Sequence, residues 1–219
     1  MAYFPFMIEI KEKNCLVVGG GSVAFHKVKL LSDFGVRIKV VGKNICPELK
    51  EWAVKKQQEK VGIELFQREF SDYDVEEMDF VIAATNDEKL NGHISDLCQQ
   101  RRILVNAVDQ KEACSFIFPA IVQEKDLFIA VSTNGQSPAM AAHVKKQIRQ
   151  NIPEYYGEMV EQLGEYRDYI LAQVNTAKKR KAIFNQLIAY GDTHEGKIPK
   201  EVVKQVIVQI TSHKKETGE

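Results

Sequence analysis

At 219 residues the chain is long enough for one large domain, or one with a small appendage, and too short for three. A content of 44% hydrophobic and 27% charged residues, with 13 Gly and 6 Pro, excludes collagen-like, disordered and disulfide-scaffold classes. Thirty basic side chains balance 30 acidic ones, so no overall field draws the protein to nucleic acid or to an anionic membrane surface, and neither is expected as a partner.

From residue 6 to about 131, short apolar runs alternate with stretches of helical period, the pattern of a parallel sheet with helices on its faces. Strands are predicted at 6–10, 14–18, 36–41, 62–66, 79–83, 103–106, 115–118 and 127–131. Helices are predicted between them at 22–34, 46–59 and 87–101. In the first helix Val23, Lys27, Leu30, Leu31 and Phe34 follow the i, i+4, i+7, i+8, i+11 spacing, which lays a stripe on the sheet. The texture changes after Asn134. Ser137 is placed as an N-cap with Pro138 at the first helical position, where its missing N–H costs nothing. Further helices are predicted near 154–173, 176–190 and 199–211. The segment 145–219 carries 13 basic and 10 acidic residues, a +3 bias, and its run Lys178–Lys181 reads as a solvated helix face. The expected architecture is α/β: a Rossmann-like parallel-sheet domain, a small dimerisation region and an all-helical C-terminal domain. The boundaries are set at 1–113, 114–150 and 151–219.

The strongest local signal is Gly19-Gly20-Gly21-Ser22-Val23-Ala24, a GxGxxA pattern that follows one predicted strand and opens a predicted helix. Gly19 permits the tight turn, Gly21 lets the backbone approach a pyrophosphate, Ala24 allows close helix packing, and the first amides of the helix hold the phosphates. The acidic residue expected about 20 residues on, to bind a ribose 2′-hydroxyl, is missing. Val41-Gly42-Lys43-Asn44 stands there instead. Lys43 could favour a 2′-phosphate, Asn44 and backbone groups could hold an unphosphorylated ribose, or Lys43 could be an ordinary loop lysine.

A second cluster sits where later strands end, at the carboxyl edge where open sheets bind ligands. Ala83-Ala84-Thr85-Asn86-Asp87 follows one strand and Asn106-Ala107-Val108-Asp109 the next. Asp109 is the candidate general base, able to take the proton that accompanies hydride loss from a substrate carbon. Its competing role is an Asx-turn carboxylate that caps a loop. Asn86 or Asp87 reads as a helix N-cap more readily than as a substrate ligand. The 132–138 segment, with Ser132, Thr133, Asn134 and Ser137, is either an anion site at a helix start or a turn with an N-cap.

Cys15, Cys46, Cys98 and Cys114 form no CxxC pair, which favours reduced thiols. His26, His93, His143, His194 and His213 show no HExxH and no spacing with Cys, so no metal site is expected. The first residues lack a basic region and a cleavage site, and no apolar run reaches the ~18 residues of a membrane span, so a cytoplasmic location is expected.

Taken together, five ordered blocks resemble the precorrin-2 dehydrogenases of sirohaem synthesis, also found as the N-terminal module of fused sirohaem synthases. The blocks are Val18–Ala24 with Lys27, Ala83–Asp87 with Asn91, Val105–Asp109, Ser115–Ala120 and Val131–Ala139. The resemblance implies NAD-dependent oxidation of precorrin-2 to sirohydrochlorin, with Asp109 at the acid/base position and Ser132 in the tetrapyrrole cleft. It implies cofactor contacts at Gly19, Gly21, Ser22, Val23, Lys43, Asn44 and Thr85, and substrate contacts at Ser132, Thr133, Asn134 and Ser137. It also implies a homodimer. Lys145, Lys146 or Arg149 could meet the carboxylates of such a substrate. At this length a stand-alone dehydrogenase module is expected, without the methyltransferase domain of the fused enzymes. Some relatives also insert Fe²⁺ or Co²⁺ into sirohydrochlorin, and a ferrochelatase activity is the first alternative. A non-catalytic NAD- or tetrapyrrole-binding protein is the second. Asn86 stands where the family commonly has an acidic residue.

Overall fold

The computed structural model describes residues 3–59 and 62–212. The chain divides into two compact units, Met1–Phe118 and Pro119–Glu219.

The first unit is built on five strands, β1 (Asn14–Val18), β2 (Arg37–Val41), β3 (Ile63–Phe66), β4 (Phe80–Ala83) and β5 (Leu104–Ala107). All pair in parallel in the order β3-β2-β1-β4-β5. The chain winds outward from β1 through β2 to β3, then returns to the other side of β1 with β4, so β1 and β4 flank the point where the winding reverses. Parallel strands covered on both faces need unbroken apolar runs. Accordingly Cys15, Leu16 and Val17 of β1 and Val81, Ile82 and Ala83 of β4 are fully buried.

Helices α1 (Ser22–Ser32) and α2 (Pro47–Gln58) cover one face, where Ala24, Val28, Leu31 and Leu49 pack with Val17, Ile38, Val40 and Ile82. On α1 the buried stripe is Ala24, Val28 and Leu31, one position round from the expected one, while Val23 stays 43% exposed. The small Ala24 decides this rotation, because it lets the helix start press on the sheet. Helix α3 (Glu88–Gln100) covers the other face with Ile94 and Cys98 against Leu16, Val81 and Val105.

Two expected strands do not form. In 6–10 no ladder partner is present, and Phe6, Met7 and Ile8 are 75%, 80% and 63% exposed. In 115–118 the return along β5 is made by Ser115 and Phe116 without a strand ladder, and the Phe116 carbonyl accepts from Asn106 Nδ2 at 3.0 Å. The Val105 amide donates to Ser115 Oγ (2.7 Å) and the Ser115 amide to the Val105 carbonyl (2.8 Å), and Pro119 then has no N–H to offer.

In the second unit the strand after that proline is β6 (Ala120–Glu124), which the sequence reading omitted. It forms an antiparallel hairpin with β7 (Leu127–Val131). Helix α4 (Pro138–Asn151) packs on β6. Ser137 caps it, its Oγ accepting from the Met140 amide at 3.2 Å, with Pro138 in the first turn as expected. Helices α5 (Tyr155–Gln173), α6 (Ala177–Thr193) and α7 (Lys200–Ser212) enclose a separate core of Met159, Ile170, Ile183, Leu187, Ile198 and Val203. No described helix is long and apolar enough to cross a membrane. His213 lies outside the described residues.

Candidate active site

Three chain segments meet at the carboxyl edge of the sheet beside the reversal point. The first is the turn from β1 into α1. The Gly19 amide donates to the Val41 carbonyl (2.8 Å) and the Gly20 carbonyl accepts from the Cys46 amide (2.8 Å), so this turn is tied to the end of β2. Gly19 has φ +117°, and a Cβ there would lie 2.2 Å from the Ala84 carbonyl oxygen. Gly20 is equally constrained: a Cβ would lie 2.2 Å from the Asn44 carbonyl oxygen. Gly21 differs from both. Its φ of −84° suits any residue, and a Cβ would meet nothing within 4 Å. Neither backbone conformation nor packing within the chain calls for glycine there. The cleared space lies at the N-cap of α1, where no side chain caps the helix and no acidic residue occupies the first turn. Uncapped helix amides beside a surface stripped of side chains fit the pyrophosphate of a dinucleotide. Ser22 and Val23, both exposed, border it.

The second segment follows β4. Thr85 is pinned by Asn91, only 2% exposed on α3. Asn91 Oδ1 accepts from the Thr85 amide (3.2 Å) and hydroxyl (2.7 Å), and its Nδ2 donates to the Thr85 carbonyl (3.0 Å). Asp87, not Asn86, is the N-cap of α3, its carboxylate accepting from the Lys89 and Leu90 amides at 3.0 and 3.1 Å. The positioning role of Asn91 escaped the sequence reading, although a signal was present. It falls on the buried stripe Asn91, Ile94, Ser95, Cys98 of α3, where a polar side chain needs a polar partner.

The third segment follows β5. The Val108 amide donates to the Ala83 carbonyl (2.9 Å), which holds the next residue, Asp109, alongside the β4 loop. Asp109 is exposed and has φ +60°, a left-handed conformation uncommon outside glycine and tolerated best by Asn and Asp. Its carboxylate has no hydrogen-bond or ion-pair partner among the described residues, so it does not act as an Asx-turn cap. Behind it Cys114, buried, accepts from the Ala107 amide at 3.2 Å and donates to the Ala107 carbonyl at 3.1 Å. Lys27 on α1 places its ammonium 3.9 Å from the Phe118 ring centroid. It forms no ion pair among the described residues, and burial pulls its pKa down from the ordinary lysine value.

Lys43 and Asn44 stand at the end of β2. Lys43 is engaged: its Nζ lies 2.9 Å from Glu69 Oε1, and that contact raises its pKa.

In the second unit the 132–137 loop is organised largely by itself. Ser132 Oγ accepts from the Asn134 amide (3.1 Å), Thr133 Oγ1 accepts from the Ser137 amide (3.0 Å), and Asn134 has φ +52°. This is the turn-plus-cap arrangement. Ser132 and Asn134 remain exposed. Arg149 is paired with Glu124, so of the three cations considered for substrate carboxylates it is already committed, while Lys145 and Lys146 are exposed. The described residues contain no group of three or more His, Cys, Asp or Glu able to hold a metal ion, and the four cysteines are free thiols.

Comparison with known proteins agrees with this geometry. The family model described as "Putative NAD(P)-binding" matches residues 6–120, and a second, described as "Sirohaem biosynthesis protein central", matches 125–151. The siroheme synthase of Thioalkalivibrio sulfidiphilus is 40% identical over 188 residues, covering 86% of this chain and 37% of that protein. That of Zymomonas mobilis is 39% identical over 194 residues, covering 87% and 40%. The chain thus spans about two fifths of the length of these relatives. The solved structure of SirC, a precorrin-2 dehydrogenase, shares the fold, with a TM-score of 0.67 at 23% identity over 96% of this chain and 100% of that one. With the glycine turn, the reversal point and more than half of its residues matched, the chain belongs to the NAD(P)-binding family whose model covers 6–120.

Proposed function

We propose that the chain is an NAD-dependent precorrin-2 dehydrogenase, oxidising precorrin-2 to sirohydrochlorin in sirohaem synthesis. The observation that carries this reading is the Asp109 carboxylate, without a partner among the described residues and held at φ +60° on the same sheet edge as the open Gly21 surface. Bound NAD⁺ supplies the two-electron acceptor. The chain's own part is to hold the dinucleotide through Gly19, Gly21, Ser22, Val23, Asn44 and Thr85, and to receive a proton. A carboxylate with no partner among the described residues at that edge is available for the proton that leaves with the electrons, and exposure lets it pass that proton to solvent. Lys27, half-buried and without a carboxylate partner among the described residues, is suited to an anionic substituent of the substrate.

The 132–137 loop, with Ser132, Thr133, Asn134 and Ser137, is assigned to the substrate. In functional terms 1–113 binds cofactor, 114–150 serves dimerisation and the substrate cleft, and 151–219 is the helical part. A homodimer and a cytoplasmic site of action, with access to the free dinucleotide pool, complete the reading. The siroheme synthase relatives and the fold shared with SirC support it.

The test is a coupled assay that generates precorrin-2 and reads NADH. Asp109→Asn is the variant of choice because Asn tolerates the left-handed backbone that Ala would strain. The variant is expected to bind NAD⁺ like the wild type and to lose turnover by about 100-fold or more, the usual worth of a positioned acid/base group. Unchanged NADH formation would remove Asp109 from the chemistry.

A further inference from the structure

The carboxyl end of β2 is where a dinucleotide-binding sheet usually presents an acidic side chain to the ribose of the adenosine half. Here Gly42-Lys43-Asn44 follows the strand, and the acidic group is brought in from a different one. The Gly42 amide donates to the Phe66 carbonyl at 3.1 Å, which locks the end of β3 beside the end of β2. Three residues later Glu69 reaches back to Lys43, Oε1 to Nζ 2.9 Å.

Glu69 does not hang on a free loop. Arg68 donates to the Glu69 carbonyl oxygen at 2.9 Å, and the same guanidinium grips both oxygens of Asp74 at 2.7 and 2.6 Å. The Asp74 side chain is only 4% exposed and also meets Lys39 Nζ at 2.8 Å. A buried carboxylate thus fixes Arg68, which fixes the backbone of Glu69. Lys43 has a second negative neighbour in Asp87, whose charge acts on it from the start of α3. Lys43 thus faces two carboxylates, while Lys39 and Arg68 are both turned to Asp74.

We infer that Glu69 is a specificity-determining residue that selects a dinucleotide with a free 2′-hydroxyl over one with a 2′-phosphate. It takes up the lysine that would otherwise attract the phosphate, adds a like charge at that place, and keeps a second carboxylate oxygen with which to accept from a ribose hydroxyl. This inference rests on the cofactor reading above, but it concerns which dinucleotide is chosen, not whether one is bound.

The experiment is a titration of the whole chain with NAD⁺ and with NADP⁺ by calorimetry, for the wild type and for Glu69→Gln and Glu69→Lys. Glu69 is exposed, and thermal denaturation of each variant checks that the fold is kept. The wild type is expected to prefer NAD⁺. Glu69→Gln should raise NADP⁺ affinity relative to NAD⁺ by about fivefold, the scale of one exposed charge contact. Glu69→Lys should raise it further, and both gains should shrink as salt is added, because exposed charges are screened. A ratio that does not move in either variant, or a wild type that prefers NADP⁺, would overturn the inference. If the wild type bound neither dinucleotide, the cofactor reading itself would fall, and the inference with it.

Discussion

The three glycines of the first turn occupy adjacent positions for different reasons, and substitution should separate them. Gly19 serves the fold. At φ +117° a side chain is strained, and its Cβ would collide with the Ala84 carbonyl. Gly19→Ala should lower stability by about 2 kcal/mol or more, read by thermal or urea denaturation, with weaker binding as a by-product. Gly21 leaves room for something outside the chain. Gly21→Ala should stay within about 1 kcal/mol of wild-type stability, the cost of a poorer N-cap residue. Its NAD⁺ affinity, measured by the same titration, should fall by about tenfold or more, since the new methyl group occupies space next to uncapped helix amides. A Gly21→Ala protein that bound NAD⁺ as tightly as the wild type would show that the open surface is not where the dinucleotide lies. The turn itself was readable from residue spacing, yet the division of labour within it was not. That division depends on which backbone faces each glycine, and the facing atoms belong to Asn44 and Ala84, 24 and more residues away.

At the scale of elements, the legible parts are those whose pattern is local. Strand β1 and helix α4 were readable because an apolar run or a Ser-Pro start is complete in itself. Strand β6 was not readable. Its partner β7 is reached through Lys125 and Asp126, with Lys125 at φ +52°, and this turn carries none of the Gly or Asn residues that normally announce a hairpin. The short 3₁₀ turn Asp72–Val75 is another case, since its value lies in a partner set gathered from the middle of β2 and from the loop after β3. Asp74 within it accepts from Arg68, Lys39 and the Ser71 amide (2.9 Å). These partners, led by Arg68, hold its carboxyl well below the usual aspartate range. A lowered native pKa adds stability above the unfolded value of about 3.9 and loses it as pH falls through the native one. Asp74→Asn should therefore cost about 2 kcal/mol or more at neutral pH, because two cations lose their buried partner. The gap to the wild type should close progressively below about pH 4, where the carboxyl begins to protonate in the unfolded chain while the native one is still ionised. Denaturation curves at pH 7 and pH 3 check both statements, and a gap that persisted undiminished at the lowest pH would rule out charge as the source.

At the scale of the whole molecule, the surface of the second unit bears on the proposed homodimer. A two-stranded hairpin is marginally stable unless its faces are covered. Side chains alternate across a strand, so Val122 and Glu124 share one face of β6, with Val122 buried and Glu124 paired to Arg149 of α4. The opposite face carries the pairs Ile121 with Ala130 and Gln123 with Phe128, of which Ala130 and Gln123 are exposed and Ile121 half-buried. A face of this composition, on an element too small to stand alone, suits an isologous contact. In such a contact each residue is used on both copies, so one substitution acts at two places. For a chain of 24.9 kDa, light scattering should give about twice that mass. Ile121→Asp should convert the protein to monomers while leaving the helical signal of α5, α6 and α7 intact, since their core of Ile170, Ile183 and Leu187 does not include the hairpin. A carboxylate buried unpaired in an apolar contact, once on each copy, costs several kcal/mol, more than a contact of modest size can absorb. A variant that remained dimeric at micromolar concentration would therefore take the β6–β7 face out of the interface.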